Sequence, residues 1–271
     1  MGFGFGFGFS AAIGSGGEAG AYTFTNAEAA ALVARFTAPP PASRKALIDT
    51  FVGALKTAGV WAKLDFLHVM AAHDAQAARQ NWIADAFHAS VASGPVFTAD
   101  RGYQTDGLAS YVETNFNPST AVGKFTRDSA VFGAWNLTDE AWGASLASSA
   151  GWFDGVDGVT ILFRNLSDLS GGRINQAAGV TGTTAVSTGI VAVDRSGPSE
   201  TAVYQNGSSI AAGAGASTEL NDATFSYGRV TATGFSERQF AMGFAGQSLS
   251  SGEHAALYAA GLAYMQGVGA A

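Results

Sequence analysis

Three tryptophans are the residues of this sequence whose type and spacing best suit contact with a small polar ligand. Trp135, Trp142 and Trp152 fall within a short stretch that is rich in Asn, Asp and Ser. Indole rings stack on the C–H faces of sugars, while short polar side chains bind hydroxyl groups. Trp135 lies in the apolar run VFGAWNL, which indicates core packing, whereas Trp142 and Trp152-Phe153 lie near turn residues. We therefore expect Trp142, Trp152 and Phe153 to be carbohydrate contacts.

Asp154 and Asp157 are the acidic residues that directly follow those rings. They lie in FDGVDG, whose glycines favour a turn, so they either form the turn or contact a ligand or Ca²⁺. We count both as candidate carbohydrate contacts. Glycoside hydrolysis needs two carboxylates, about 5–5.5 Å apart in retaining enzymes. Asp139-Glu140 and Glu237 are further candidates, but no E-x-D-x-x-E pattern places such residues on one strand. We therefore expect no catalytic residues.

Other site chemistries have weak support in the sequence. Residues 14–19, GSGGEA, match the dinucleotide-binding pattern G-x-G-x-x-A, but no strand and helix of a βαβ unit surround them. His68 and His73 are five residues apart and would not share one face of a helix as a zinc pair does. The sequence has no cysteine and no G-x-S-x-G nucleophile motif. We expect neither a cofactor nor a bound metal ion.

The composition excludes several further classes of protein. Only 13% of the 271 residues are charged, the net charge is −7, and no block of Lys or Arg is present. Nucleic-acid binding requires clustered cations, so we expect none. No run of 18 apolar residues is present, which predicts no membrane insertion. The first residues lack the basic and apolar regions of a signal peptide, and we expect none.

Four short helices are predicted between residues 25 and 86. Thr25 and Glu28 fit a capping box, in which each side chain hydrogen-bonds the first turn of the helix. The predicted helices begin at Thr25 and end before Pro39, run from Ser43 to Gly59, run from Trp61 to His73, and begin again at Asp74. Short connections between helices predict one compact helical module.

From about Phe87 the helical period gives way to short β-type segments between turn residues. The predicted strands are Ser110–Asn115, Ala130–Leu137, Gly158–Phe163, Gly189–Asp194, Thr201–Gln205, Thr224–Gly228 and Gln239–Phe244. Asn206-Gly207 predicts a type I′ hairpin turn. A capping box at Ser250–Glu253 begins a final helix that ends at Gly267. Seven or more short strands joined by tight turns indicate a β-sandwich.

These patterns predict an α+β fold, in which a small N-terminal helical module is followed by an antiparallel β-sandwich and a C-terminal helix. Three regions are expected, namely an anchor peptide and linker (1–24), the helical module (25–86) and the sandwich with its terminal helix (87–271).

Four phenylalanines alternate with glycine at the start of the chain. Phe3, Phe5, Phe7 and Phe9 would lie on one face of an extended segment, beside a glycine edge that lets another backbone approach closely. The segment is either a low-complexity tail or a docking peptide that becomes ordered on assembly, and we favour the docking peptide.

The order of several segments resembles a known group of proteins. The segment GYQTDGLASYVETNFNPST around Tyr103, the later VYQNGSSI and FAMGFAG, and the closing LSSGEHAALYAAGLAYM resemble the concanavalin-like sandwich of phage and gene-transfer-agent particle proteins. The segment from ALIDTFVGALK to QNWI looks like the helical module that precedes that sandwich. The resemblance implies a jelly-roll sandwich of the lectin type on a head spike or tail fibre.

The resemblance also implies a function and a set of partners. It predicts a virion protein that is made in the host cytoplasm. The MGFGFGFGF start departs from the pattern of these proteins, and this start suggests attachment to capsid, spike base or tail proteins through Phe3, Phe5, Phe7 and Phe9. It predicts an oligomer of identical chains whose sandwich binds cell-surface polysaccharide on the particle surface. Two alternatives remain open at this stage, a glycan depolymerase on the same fold and a decoration or adaptor protein without a ligand. The resemblance supplies no catalytic residues.

Overall fold

A computed structural model of the protein describes residues 22–141, 148–156 and 158–271. The predicted anchor residues Phe3, Phe5, Phe7 and Phe9 lie outside these ranges. The helices within them are α1 (Ala27–Ala34), α2 (Ala42–Thr57), α3 (Pro118–Ala121) and α4 (Ser251–Gly267).

The strands of the described ranges form two antiparallel sheets. In chain order they are β1 (Leu64–Val69), β2 (Ser90–Ala92), β3 (Val96–Thr98), β4 (Gly102–Gln104), β5 (Tyr111–Glu113), β6 (Ala130–Asn136), β7 (Ser148–Phe153), β8 (Gly158–Leu162), β9 (Leu169–Gln176), β10 (Val180–Thr183), β11 (Gly189–Gly197), β12 (Glu200–Gln205), β13 (Ser208–Gly213), β14 (Ser226–Tyr227) and β15 (Gln239–Gly246). The helix-covered sheet has the order β13-β12-β11-β6-β15-β4-β3, with β1 also paired to β15. The outer sheet has the order β10-β9-β8-β7-β14-β5-β2.

The core between the sheets is built from large aromatic side chains packed against small residues. Phe132 lies 5.1 Å from Phe225 and is stacked with Tyr227, measured between ring centres. Tyr227 packs directly on Gly243 of β15, where a Cβ atom would lie 2.1 Å from the tyrosine hydroxyl. The glycine therefore sets the close approach of the two sheets. The predicted α+β fold with an antiparallel sandwich and a C-terminal helix is confirmed.

Helix α4 covers the other face of the helix-covered sheet. Trp135 on β6 stacks on Tyr258 of α4, and a Cβ atom at Gly261 would lie 3.2 Å from its indole. Phe51 on α2 lies 5.6 Å from Tyr264 of α4, measured between ring centres. Every residue of β6 is buried because the strand has sheet on one face and helix on the other. The predicted core position of Trp135 is confirmed, since only 2% of the residue is exposed.

The third predicted helix, Trp61 to His73, is wrong. After a short 3₁₀ turn at Trp61–Lys63, the chain forms the fully buried strand β1, which pairs with β15. Leu64, Leu67 and Met70 have a spacing that suits a helix. A strand that is buried on both faces, however, has an apolar or hydrogen-bonded residue at each position. Its sequence therefore shows no alternation of apolar and polar residues. Strand β1 thus joins the segment 25–86 to the sandwich.

The fourth predicted helix is reduced to a 3₁₀ turn at Ala77–Arg79. Asp74 does act as a cap, because its Oδ1 accepts hydrogen bonds from the backbone N–H groups of Gln76 and Ala77. The chain beyond Arg79 is irregular up to β2. Trp82, which follows Asp74 within the fourth predicted helix, packs instead in the core with 2% exposure, and its ring centre lies 5.6 Å from that of Phe51.

The predicted capping box of Thr25 and Glu28 is also wrong. Asn26 and Pro41 occupy the cap positions, and neither makes a side-chain cap bond. Thr25 bonds to Asp49 of α2 instead, and Ser43 lies inside the first turn of α2. The side chain that would have formed the local capping motif is hydrogen-bonded to a residue of another helix instead.

Two other local predictions are confirmed. Asn206 and Gly207 have φ values of 49° and 80°, as a type I′ turn between β12 and β13 requires. Ser250 Oγ accepts a bond from the Glu253 N–H, and the Glu253 carboxylate accepts one from the Ser250 N–H, which completes the capping box of α4.

Candidate functional site

Trp152 lies at the end of β7 in the outer sheet, opposite Val159 of β8. The indole is partly buried and packs against the core. The guanidinium carbon of Arg229 lies 5.1 Å from its ring centre and 3.8 Å from the ring centre of Tyr111. Arg229 therefore packs against two aromatic rings and supports the indole.

The same indole lines a cleft of about 400 Å³. The cleft is formed where the end of β7 meets the short helix α3 and the loop that precedes β14. Its lining residues are Ser119, Trp152, Asp154, Glu219, Leu220, Asn221, Asp222 and Ala223. One aromatic ring surrounded by carboxylates, an amide and a hydroxyl is the mixture of groups found in sites for polar ligands such as sugars.

Hydrogen bonds to α3 hold the loop of residues 219–223 in place. The Asp222 carboxylate accepts bonds from the hydroxyl of Ser119 and, at 3.0 Å, from Nδ2 of Asn117. Asn117 in turn caps α3, because its Oδ1 accepts the Ser119 N–H at 3.0 Å. The bonds from Ser119 and Asn117 lower the pKa of Asp222. The carboxylate is therefore ionised at neutral pH while it orders one wall of the cleft.

Asp154 combines the two roles that the sequence left open. Its Oδ1 accepts a hydrogen bond from the Val156 N–H at 2.8 Å, which forms the turn after β7. The same residue lines the cleft beside Trp152. A residue that forms a turn can thus also line the cleft.

The structure brings together only some of the predicted carbohydrate contacts. Trp152 and Asp154 share the cleft, whereas Phe153 does not line it; its ring packs 4.1 Å from the guanidinium carbon of Arg173 on β9. Successive residues of a strand point to opposite faces, which separates Phe153 from Trp152. Trp142 and Asp157 lie outside the described residues.

Sequence reasoning missed the opposite wall of the cleft. Ser119 and residues 219–223 are far in sequence from Trp152, and their approach depends on the pairing of β14 with both β5 and β7. The run Glu219-Leu220-Asn221-Asp222 holds three short or acidic polar residues in a turn-rich segment, and that was the available signal.

Asn221 is unusual among the lining residues. It is only 4% exposed, and its Oδ1 atom has no hydrogen-bond partner within the described part of the chain. A buried acceptor without a partner costs about 1–3 kcal/mol. A donor group from a bound molecule would remove that cost.

The histidines form no metal site in the described ranges. His68 is buried on β1, where its Nε2 lies 2.8 Å from the carbonyl oxygen of Phe87. His73 lies on the surface, where its Nε2 is 2.7 Å from the carbonyl oxygen of Ala38. No group of three or more His, Asp or Glu side chains among the described residues could hold a metal ion. Likewise, none of the helices described is both long and apolar enough to cross a membrane.

Comparison of the fold places the protein among two-sheet antiparallel sandwiches. The sialidase of Trypanosoma rangeli superimposes with a TM-score of 0.52 and 15% sequence identity over 79% of this chain. Structures of that sialidase with sialic acid give a TM-score of 0.52 and 13% identity. The matched region spans 38% of the length of the sialidase. At this level of identity the similarity is one of fold alone.

Domain 4 of an extracellular GH43 arabinanase from Geobacillus stearothermophilus, solved in complex with arabinotriose, is a further structural neighbour. It gives a TM-score of 0.49 and 12% identity, covering 72% of this chain and 98% of that domain. No protein-family model matches the sequence, and no curated protein is significantly similar to it.

Proposed function

We propose that this protein binds carbohydrate in the cleft between Trp152 and residues 219–223. The observation that carries the proposal is the arrangement of one supported indole beside Asp154, Asn221 and Asp222 in a single cleft of about 400 Å³. The ring offers a stacking surface, and the polar groups offer acceptors for hydroxyl groups at its edge. The sandwich fold is compatible with this role.

A binding experiment with two neighbouring aromatic residues tests the proposal. Titration with a panel of surface polysaccharides, followed by calorimetry, should identify ligands of the wild-type protein. Trp152→Ala should weaken binding about tenfold or more, since one stacked ring contributes about 1.4 kcal/mol. Phe153→Ala is the matched control, because Phe153 is the next residue of β7 but does not line the cleft. Binding that is lost in Phe153→Ala and kept in Trp152→Ala would refute the site.

The wider role that we propose is that of a phage-like particle component, a head spike or tail fibre, attached through its N-terminus. The support is the resemblance of segments described above together with the alternation of Phe3, Phe5, Phe7 and Phe9 with glycine. Rings on one face of an extended segment would bury about 150 Å² or more each against a partner groove. Assembly of several copies would raise the avidity of weak sites by about 10²–10⁴.

Deletion of residues 2–9 tests the attachment separately. The truncated chain should fold and bind the same glycans, but it should be missing from purified particles. A control in which the four phenylalanines are kept and the linker glycines Gly14, Gly16 and Gly17 are replaced by serine should still be incorporated. Normal occupancy of the deletion variant in particles would exclude the anchor.

Hydrolysis is the second candidate, because Asp154, Glu219 and Asp222 line one cleft and a pair of carboxylates is what a glycosidase requires. Release of reducing ends from a bound polysaccharide, and its loss in Asp154→Asn, would establish it. Binding without such release favours the simple binding role.

A further inference from the structure

The cleft has an unusual charge pattern for a glycan site. Asp154, Glu219 and Asp222 line it, and no Lys, Arg or His of the described chain does so. The ranges outside the description, 1–21, 142–147 and 157, contain no Lys, Arg or His at all. No basic side chain of the sequence is therefore among the lining residues of the cleft.

We propose that the cleft selects glycans with free, protonated amino groups over neutral and acidic glycans. The inference rests on the carbohydrate-binding function proposed above and defines its substrate class. An ammonium group on a sugar ring would gain from nearby carboxylates, whereas a uronate or sialate would be repelled by them.

One of these carboxylates is held as an anion by its hydrogen bonds. Asp222 is held ionised by the hydrogen bonds from Ser119 and Asn117, and Glu219 is exposed at the rim. The guanidinium carbon of Arg229 lies 5.1 Å from the centre of the indole ring, and the same group is paired with Glu113 at 3.5 Å. The positive charge beside Trp152 is thus partly neutralised, and the negative charges of the cleft determine the sign of the local field.

The remaining groups suit the same ligand. The indole of Trp152 can stack on the C–H face of the sugar, and the unpartnered Oδ1 of the buried Asn221 can accept a hydrogen bond. An ammonium group is a donor only, so a site that offers acceptors and no basic side chain fits it. The acceptor of Asn221 is an observation separate from the number of charged residues that line the cleft.

The test compares three oligosaccharides of equal length by calorimetry. They are a glucosamine hexamer, its fully N-acetylated counterpart, and a galacturonate hexamer, at a pH where the amines are protonated and the carboxylates are ionised. We expect the glucosamine hexamer to bind at least about fivefold more tightly than the acetylated one, and the galacturonate hexamer most weakly. The preference should shrink in high salt, because these charges are exposed.

Glu219→Gln provides the matched variant. Glu219 is exposed, so removal of its charge should leave the fold intact while it reduces the preference for the glucosamine hexamer about twofold to fivefold. Glu200→Gln, an exposed carboxylate on β12 of the other sheet, should leave the preference unchanged.

The outcomes separate this inference from the proposed function. If no glycan binds, the proposed function fails. If the acetylated or the galacturonate hexamer binds as tightly as the glucosamine hexamer, and Trp152→Ala abolishes that binding, the function stands and the selectivity for amino sugars is overturned. An equal effect of Glu200→Gln and Glu219→Gln would also overturn it, because the preference would then arise from net charge alone.

Discussion

Arg229 lies against Trp152, with its guanidinium carbon 5.1 Å from the centre of the indole ring. The same group packs on Tyr111 and pairs with Glu113, both from β5. Residues of β5 and Arg229, just after β14, thus hold the one described aromatic ring of the cleft in place. The ring is presented to a ligand in a fixed orientation, and little conformational entropy remains to be lost on binding.

Arg229→Ala should weaken glycan binding about twofold to fivefold, because the cation–π support contributes about 0.5–1 kcal/mol. Arg173→Ala is the matched control, since Arg173 packs 4.1 Å from the ring centre of Phe153 and away from the cleft. Calorimetric titration of both variants with the best ligand of the wild-type protein measures the effect. Equal affinities for the two variants would contradict a positioning role for Arg229.

Asp194 should be one of the most costly polar residues to remove. Its carboxylate accepts bonds from the Ser248 hydroxyl at 2.5 Å and the Leu249 N–H at 2.8 Å, and it lies 3.0 Å from Nε2 of His254. Asp194 and His254 are almost fully buried, so Asp194→Ala leaves three groups without a partner and should cost about 3 kcal/mol. Urea unfolding measures the loss. Glu200→Ala, on the exposed face of β12, should change stability by less than about 0.5 kcal/mol.

The protein should lose stability as the pH falls from about 6.5 towards 4 because of His68. Burial lowers the pKa of His68 from 6.5 to about 4, so between these values the unfolded chain binds a proton that the folded chain does not. The unfolded state is therefore favoured by acid, by about 2 kcal/mol at pH 5 relative to neutral pH.

His68→Gln should remove this dependence while it keeps an N–H donor near the carbonyl oxygen of Phe87. The measurement is the urea midpoint of both proteins at neutral pH and at pH 5. The two proteins share all other titrating groups, so a parallel fall of both midpoints would show that His68 is not responsible.

Asp49 should also make the stability of the protein depend on pH, in a more acidic range than His68 does. Burial by itself would raise its pKa, but hydrogen bonds from Thr25, Asn26 and Tyr22 outweigh burial and hold the pKa well below its ordinary value of 3.8. The resulting stability is present above about pH 4 and is lost as the pH falls through the depressed value. Asp49→Asn should cost about 2 kcal/mol at neutral pH, and this cost should shrink in acid. A constant difference between the two proteins at all pH values would contradict the linkage.

Short sequence patterns predicted the structure correctly where the chain forms its hydrogen bonds within one short segment. The Asn206-Gly207 turn and the Ser250–Glu253 capping box form as predicted, because all partners lie within a few residues. Each of the seven predicted strands overlaps a strand of the structure, whereas other strands, among them the eight-residue β9 and the three-residue β2 and β3, were not predicted. The predicted helix over β1 failed because a strand buried on both faces has no polar alternation.

Only one of the two walls of the candidate site could be predicted from the sequence. Trp152 and Asp154 stand out by residue type and by their place next to a turn. Asn221 and Asp222 come from a loop about 70 residues further along the chain, and no local rule relates the two segments. Only the pairing of β14 with β7 and β5 brings them to one cleft.

The sequence by itself determined the fold class, the tight turns, the terminal helix and the absence of basic clusters, because composition and short-range spacing carry that information. Tertiary structure alone decided that residues 64–69 form a strand, that Thr25 bonds to Asp49 and not to its own helix, and which carboxylates share a cleft. The physical reason is the same in each case. Burial and hydrogen bonding between distant segments contribute more free energy than the local preferences they override.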